Sequence, residues 1–346
     1  MNPRMLQTAR ESRGLSQSKL ASMTGISQAA LSKAEHGLTP LPPERIGLVA
    51  EALGYPPEIL EWPDDPIGLG ASSYYHRKQA GLGQVALRRI EAEINLFLMQ
   101  LKRLEVSVDI NPVHPLPTFD APDAEGPEPE EAARKLRAAW LVPEGPVNEA
   151  IRMVERAGVV VVRRDLGSRK ISGMSIRPPD SLPVIILNVG MTVDRERFTI
   201  FHEVGHLVMH QVPSEDGERE ADRFAAEFLM PARNIAPQLN GINLQRAMQL
   251  KQHWQTSMAS IIRRAHSLGK IDASRYRSLS VQMSQRGFSR HEPVALEPEA
   301  SRILPAMLDA HRSLFGYSDA ELAKVVGLKM PEFQAGYGTQ RVLRAV

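Results

Sequence analysis

The segment Ile200-Phe201-His202-Glu203-Val204-Gly205-His206-Leu207-Val208-Met209-His210 sets two histidines four residues apart, with a glutamate directly after the first. On an α-helix that spacing rises about 6 Å and rotates about 40°, so both imidazoles can face one ion. Glu203 then stands where it can take a proton from a water on that ion. The bare pattern arises by chance in about one chain in a hundred of this length, so its surroundings must carry the argument. With His202 at the origin of a helical wheel, His206 lies at about 40° and Glu203 at about 100°. Ile200, Phe201, Val204, Leu207 and Val208 all fall on the opposite side, between about 140° and 260°. One face is made for a core and the other presents two ligands and a carboxylate. A metal-free cluster of carboxylates and histidines is the plainer alternative, and it does not require that division.

Catalytic zinc keeps one position for water, so a third protein ligand is needed. The chain reverses over residues 211–217, with Pro213 and Gly217, and enters a second helix over 217–230. There Glu218, Asp222, Ala225 and Leu229 share one face, and Ala221, Phe224 and Phe228 form an apolar face beside it. Glu220, Arg223 and Glu227 read as a solvent stripe. Glu218 is therefore the expected third ligand, with Glu220 as the fallback. Asp222, one turn on, is placed to orient a ligand histidine. His210, one turn past His206, stands either behind a ligand or in solvent. His210, His266 and Tyr276 are the candidates for steadying an oxyanion.

Outward from this segment the pattern is mixed. Helices are expected over 132–140, 146–157, 195–211 and 217–230, and strands over 158–162 and 182–187. A helix over 84–106 carries Leu87, Ile90, Ile94, Phe97, Leu98, Leu101 and Leu104 on one face. Residues 62–80 and the Pro- and acid-rich stretch 111–131 read as linkers or exposed loops. The expected fold is multidomain and mostly α. It has an all-α domain (1–61), a linker and connecting helix (62–130), an α+β zincin-like domain with a small sheet (131–292) and a helical C-terminal region (293–346).

The motifs around the histidines resemble those of the ImmA/IrrE family of bacterial zinc metallopeptidase-like proteins over 132–292. They include Glu155-Arg156-Ala157-Gly158-Val159-Val160-Val161, Arg197-Phe198-Thr199, and Ala221-Asp222 before Phe224-Ala225 and Phe228-Leu229-Met230-Pro231. Arg264-Ala265-His266 with Leu268-Gly269 and Ile271 completes the set. The resemblance implies a compact α/β peptidase domain whose members cleave repressor-type transcription factors, releasing stress-response or mobile-element genes. It carries His202, His206 and Glu218 over as zinc ligands and Glu203 as general base. Val204 stands where the family often has Leu or Ile.

Near the N-terminus, residues 15–32 read as two short helices about a tight turn. Ser16 and Ser27 are N-cap types, and Gly25 sits where the first helix must end left-handed. Leu20, Ala21, Ile26 and Leu31 would lock the pair. This resembles the phage-repressor-like (XRE) helix-turn-helix over residues 3–60. The resemblance implies operator DNA, with the start of the second helix in the major groove and two copies on paired half-sites. Ser27, Gln28, Ala29, Ser32 and Lys33 would then meet base edges, with Gln28 suited to adenine and Gln17 to a phosphate. Arg4, Arg10, Arg13, Lys19 and Lys33 make this half locally basic. A weaker echo at identical spacing (Ser318, Leu322, Ala323, Gly327, Leu328, Phe333) carries Asp319, Glu321, Glu332 and a proline, Pro331, where a reading helix would run. It reads as structural or protein-binding.

The chain has 346 residues, 42 of them basic and 40 acidic, for a net charge of +2. At roughly 150 residues per domain it holds two or three domains. The absence of cysteine excludes disulfides, iron–sulfur ligation and a cysteine nucleophile. So small a net charge means that any nucleic-acid surface must be local. No apolar run approaches the roughly 18–20 residues of a membrane span, and the first residues lack the apolar stretch of a signal peptide. The expectation is a cytoplasmic protein. It joins a DNA-binding regulator to a zinc metallopeptidase that cleaves a repressor-type protein. The alternative is a non-catalytic regulator whose zincin-like domain serves as a sensor or binds a partner, as antitoxin or immunity proteins do.

Overall fold

The computed structural model describes residues 1–68, 83–119, 127–210, 212 and 215–338. Most of the expected linker 62–80, the middle of the acid-rich stretch, Gln211 and Pro213 of the reversal, and the last eight residues lie outside it.

The N-terminal unit contains α1 (Pro3–Ser12), α2 (Gln17–Thr24), α3 (Gln28–Glu35), α4 (Pro43–Leu53) and a 3-10 turn at Pro57–Glu61. The sequence dictates its corner. Ser16 Oγ accepts from the Lys19 amide, Ser27 Oγ accepts from the Ala30 amide, and Gly25 closes α2 at φ 70°. These are the expected caps. Leu20, Ile26 and Leu31 are buried together, with Ala21 half-buried against them.

The helix expected over 84–106 is α5 (Gln84–Glu105), but it is not buried on one face only. Every residue from 94 to 101 is buried. Leu96 and Met99 enter the core of the N-terminal unit, while Ile94, Phe97, Leu98 and Leu101 pack toward the sheet. Its polar members are satisfied inside: Asn95 Oδ1 accepts from the Ile67 amide and Gln100 Oε1 accepts from the Tyr337 hydroxyl. A stripe of large apolar residues therefore understates burial wherever buried amides find partners.

Next come α6 (Pro129–Ala139) and α7 (Ala150–Glu155), shorter than the expected 146–157. The sheet has three strands rather than the expected two: β1 (Val160–Arg164), β2 (Gly173–Ile176) and β3 (Val184–Asn188), in the order β1-β3-β2. β1 runs parallel to β3 and β2 antiparallel to it. Side chains alternate across it. Val161, Ile185 and Leu187 face one core, and Val160, Val162, Met174, Ile176, Val184 and Ile186 face the other.

The first core holds α8 (Val193–Met209) and α9 (Gly217–Leu229). Ile200, Phe201, Val204, Leu207 and Val208 of α8 are buried there with Ala221, Phe224 and Phe228 of α9, as the wheels require. The chain continues through α10 (Ala232–Ile235), α11 (Leu244–Trp254), α12 (Met258–Ser267) and α13 (Ala273–Gln285). An irregular stretch, not the expected helix, covers 293–302 before α14 (Ile303–Phe315). The C-terminal echo folds as α15 (Asp319–Val325) and α16 (Met330–Tyr337). Pro331 does not break α16, because it sits in the first turn, where no amide is needed. α14, α15 and α16 join α5 on the second face of the sheet. Among the described residues no helix is long and apolar enough to cross a membrane.

Candidate metal centre

One turn of α8 carries His202 and His206, and the first turn of α9 carries Glu218. Ligand atoms of the three lie within 4.8 Å of one another. The Nε2 atoms of the two histidines stand 3.1 Å apart. Glu218 approaches them at 3.6 Å (His202) and 3.4 Å (His206).

The other ring nitrogens set the tautomers. His202 Nδ1 is 2.9 Å from Asp222 Oδ1, so it carries the proton and donates. His206 Nδ1 is 2.9 Å from His210 Nδ1, and His210 Nε2 is 2.9 Å from Glu220 Oε2. The pattern closes when His206 donates to His210 and His210 donates to the Glu220 carboxylate. Both Nε2 lone pairs then point at each other and at a carboxylate, an arrangement that is repulsive without a cation between them. Two imidazoles, one carboxylate and hydrogen-bonded outer nitrogens make a donor set suited to zinc.

Glu203 is buried beside this pair, and Ser175 Oγ of β2 donates to its Oε2 at 2.7 Å. Burial pushes the Glu203 carboxyl up to about 7, against the pull of His202 and Ser175. Burial likewise pushes His206 down to about 3, keeping its ring neutral. Burial would also lower His202, but the carboxylates around it, Asp222 with Glu203 and Glu218, outweigh it and hold that ring above its ordinary value.

Two glycines permit this geometry. A Cβ on Gly173 would lie 2.6 Å from Thr199 Cγ2, so only glycine lets β2 cross α8 at Glu203. A Cβ on Gly205 would lie 3.1 Å from Phe224 Cδ1 and 3.3 Å from Ala221 Cα, so glycine sets how closely α9 approaches.

The solvent stripe expected on α9 needs correction. Glu220 contacts His210, and Glu227 is 2% exposed and paired with Arg264 of α12. The partners come from other parts of the chain, which a wheel drawn on one helix cannot include. Arg223 is half-buried and bonded to Glu128 and Glu130. His266 and Tyr276 stack on each other with ring centroids 5.0 Å apart, and neither lines the small cleft that holds His202, Glu203 and Glu218. Ser175 and Arg263, whose Nη1 is 3.7 Å from Asp222 Oδ2, were not foreseen. A four-residue strand with two large apolar residues leaves little signal, and Arg263 is far away in sequence.

On the N-terminal unit, Ser27, Gln28, Ala29 and Lys33 are exposed and Ser32 is half-buried, all on α3 or its cap. Gln28 Nε2 donates to Gln17 Oε1 at 2.8 Å, and Gln17 Nε2 donates to Glu35 Oε2 at 2.8 Å, which braces both amides. The expected local basicity is reduced. Arg10 is buried in a paired contact with Glu35, Arg13 pairs with Glu332, and Arg4 pairs with Asp65. Lys19 and Lys33 are the expected cations left exposed beside α3.

No curated protein matches the chain. Family models match two segments that fall inside these two units. Residues 154–266, which span the sheet, the histidine helix and Glu218, match the IrrE N-terminal-like domain of a peptidase family. Residues 6–60 match the helix-turn-helix family, a match that supports DNA binding. The chain thus joins a helix-turn-helix domain of XRE type to an IrrE-like peptidase domain.

Proposed function

We propose that the protein binds operator DNA and hydrolyses a peptide bond in a repressor-type protein, with zinc held by His202, His206 and Glu218. The observation that carries this reading is the pair of Nε2 atoms 3.1 Å apart, both outer nitrogens held, beside a buried carboxyl. Zinc bound there would supply a Lewis acid that makes water acidic near neutral pH. Glu203, buried beside the site, would take a proton from such a water and pass it to the leaving amine. Ser175 holds the Glu203 carboxyl in place beside the two histidines. Asp222 and His210 hold the two imidazoles in the tautomer that leaves Nε2 open. The braced Gln17–Gln28 pair presents the start of α3 to base edges.

The test joins metal analysis of the purified protein with Glu203→Gln. About one zinc per chain is expected in both forms. Cleavage of a co-expressed repressor should fall by about 10²–10⁴-fold in the variant while operator binding persists. Full cleavage by the variant, or a metal-free wild type that still cleaves, overturns the reading. Unaltered regulation in the variant favours a non-catalytic regulator.

A further inference from the structure

The cleft that holds His202, Glu203 and Glu218 opens into a larger one. Ser172, Arg195 and Phe198 line both. The larger cleft, about 1480 Å³, lies between the loops before and after the β2–β3 hairpin and the helices α12 and α13. Met191, Phe198, Ile262, Met283 and Phe288 give it an apolar lining. Its cations are Arg169, Arg195, Arg263, Arg290 and Lys251. Lys251 is neutralised by Asp194 and Glu292. Among the described residues Arg169 and Arg290 have no carboxylate partner. Arg195 donates to the Ser172 hydroxyl at 2.8 Å, and Arg263 stands 3.7 Å from Asp222. The lining carboxylates are Asp165, Asp194 and Glu292, the last two engaged by Lys251, so the walls keep an excess of positive charge over an apolar floor, and the cleft leads to the candidate metal centre.

We propose that this cleft seats the substrate polypeptide and selects a segment in which acidic side chains flank an apolar one. The proposal rests on the peptidase reading for the chemistry at one end of the cleft. Arg195 and Arg263, which border the metal centre, meet the acidic side chains nearest the bond to be cut. Arg169 and Arg290 meet those farther along. A carboxylate brought between these guanidiniums gains charge-assisted hydrogen bonds, and apolar side chains gain by burial on the floor. A polyphosphate chain fits less well, because Glu203, Glu218 and Asp222 at the far end repel it and the floor offers it nothing.

The test is fluorescence anisotropy on the zinc-loaded full chain carrying Glu203→Gln. The probes are labelled synthetic peptides of one length with a Phe-Leu centre, flanked by Glu, Gln or Lys. The Glu peptide should bind about tenfold tighter than the Gln peptide at low salt, and salt should erode the difference. Arg169→Glu with Arg290→Glu alters two exposed side chains without a carboxylate partner among the described residues, and it should reverse the preference toward the Lys peptide. An unfolded variant would lose all binding and cannot produce that reversal. Equal affinity for the three peptides, or a preference unchanged by the charge reversal, overturns the proposal. So does displacement of the Glu peptide by a single-stranded oligodeoxynucleotide that itself depends on Arg169 and Arg290, since the cleft would then be a nucleic-acid groove. Hydrolysis is a separate measurement on the wild type. Its absence would sink the peptidase reading and leave the acidic preference standing, and the converse also holds.

Discussion

Gly205 sits between His202 and His206, the two candidate ligands, and faces Phe224, which is fully buried and stacked near Phe228. Helix propensity alone favours alanine there by about 1 kcal/mol. The crowding at 3.1 Å and 3.3 Å acts in the opposite direction, and overpacked cores typically lose about 1–3 kcal/mol. Gly205→Ala should therefore be net destabilising by about 1 kcal/mol in denaturant unfolding. On the proposed zinc reading it should also weaken the metal by moving Glu218 away from His206, as read by competition with a chelator. A stabilised variant with unchanged zinc affinity would refute the packing argument. The pairing of His202 with His206 was legible because a four-residue spacing fixes two side chains on one helix. Ser175 and Glu227 were not, because their roles depend on a strand pairing and on Arg264, neither of which spacing within a segment encodes.

Helix α8 starts on a buried ionic cluster. Lys251 Nζ of α11 lies 2.6 Å from Asp194 Oδ2 and 2.9 Å from Glu292 Oε2, and Glu292 also accepts from the first amides of α12. Burial alone would raise the Asp194 carboxyl, but Lys251, with Thr192 and the Arg195 amide, outweighs it and holds it below the ordinary value. A depressed carboxyl contributes stability that is present above its unfolded value, about 4, and lost as pH falls through the folded one. Lys251 is raised by the same partners against its own burial, so its share is present below about 10 and lost as pH rises through the folded value. Melting temperature should therefore fall below about pH 4 in the wild type, and part of that fall should vanish in Asp194→Asn. Lys251→Met should cost about 3–5 kcal/mol at neutral pH by leaving the buried Asp194 and the half-buried Glu292 without their counter-charge. Calorimetry across pH tests both, and a variant with the wild-type acid slope would remove Asp194 from the account. The long helices were readable from their periodicity and caps. β2 was not, since Gly173-Met174-Ser175-Ile176 acquires its meaning only when laid beside β3.

At the scale of the whole molecule, α5 belongs to two cores and the C-terminal helices complete them. Gly327, at φ 62°, lies beneath Trp62, where a Cβ would come within 2.6 Å of the indole. Arg13–Glu332 and Lys329–Glu51 tie the same helices to the N-terminal unit. Gly327→Val should lift α15 and α16 from Trp62. Faster amide exchange in both helices and in α5 is expected, with little change around His202. Exchange confined to α15 would contradict the shared core. The echo at 318–333 was visible in the sequence, but its docking was not, because the contacts join residues about three hundred positions apart.

Because α5 packs on both the reading module and the sheet, the two cannot swivel independently. A duplex seated on α3 would stand at a set angle to the mouth of the large cleft beside the candidate metal centre. Were two copies to sit on a palindrome and cut as proposed, their clefts would stand at a spacing gauged by the half-sites, and the arrangement of the operator would govern which neighbouring proteins can thread in.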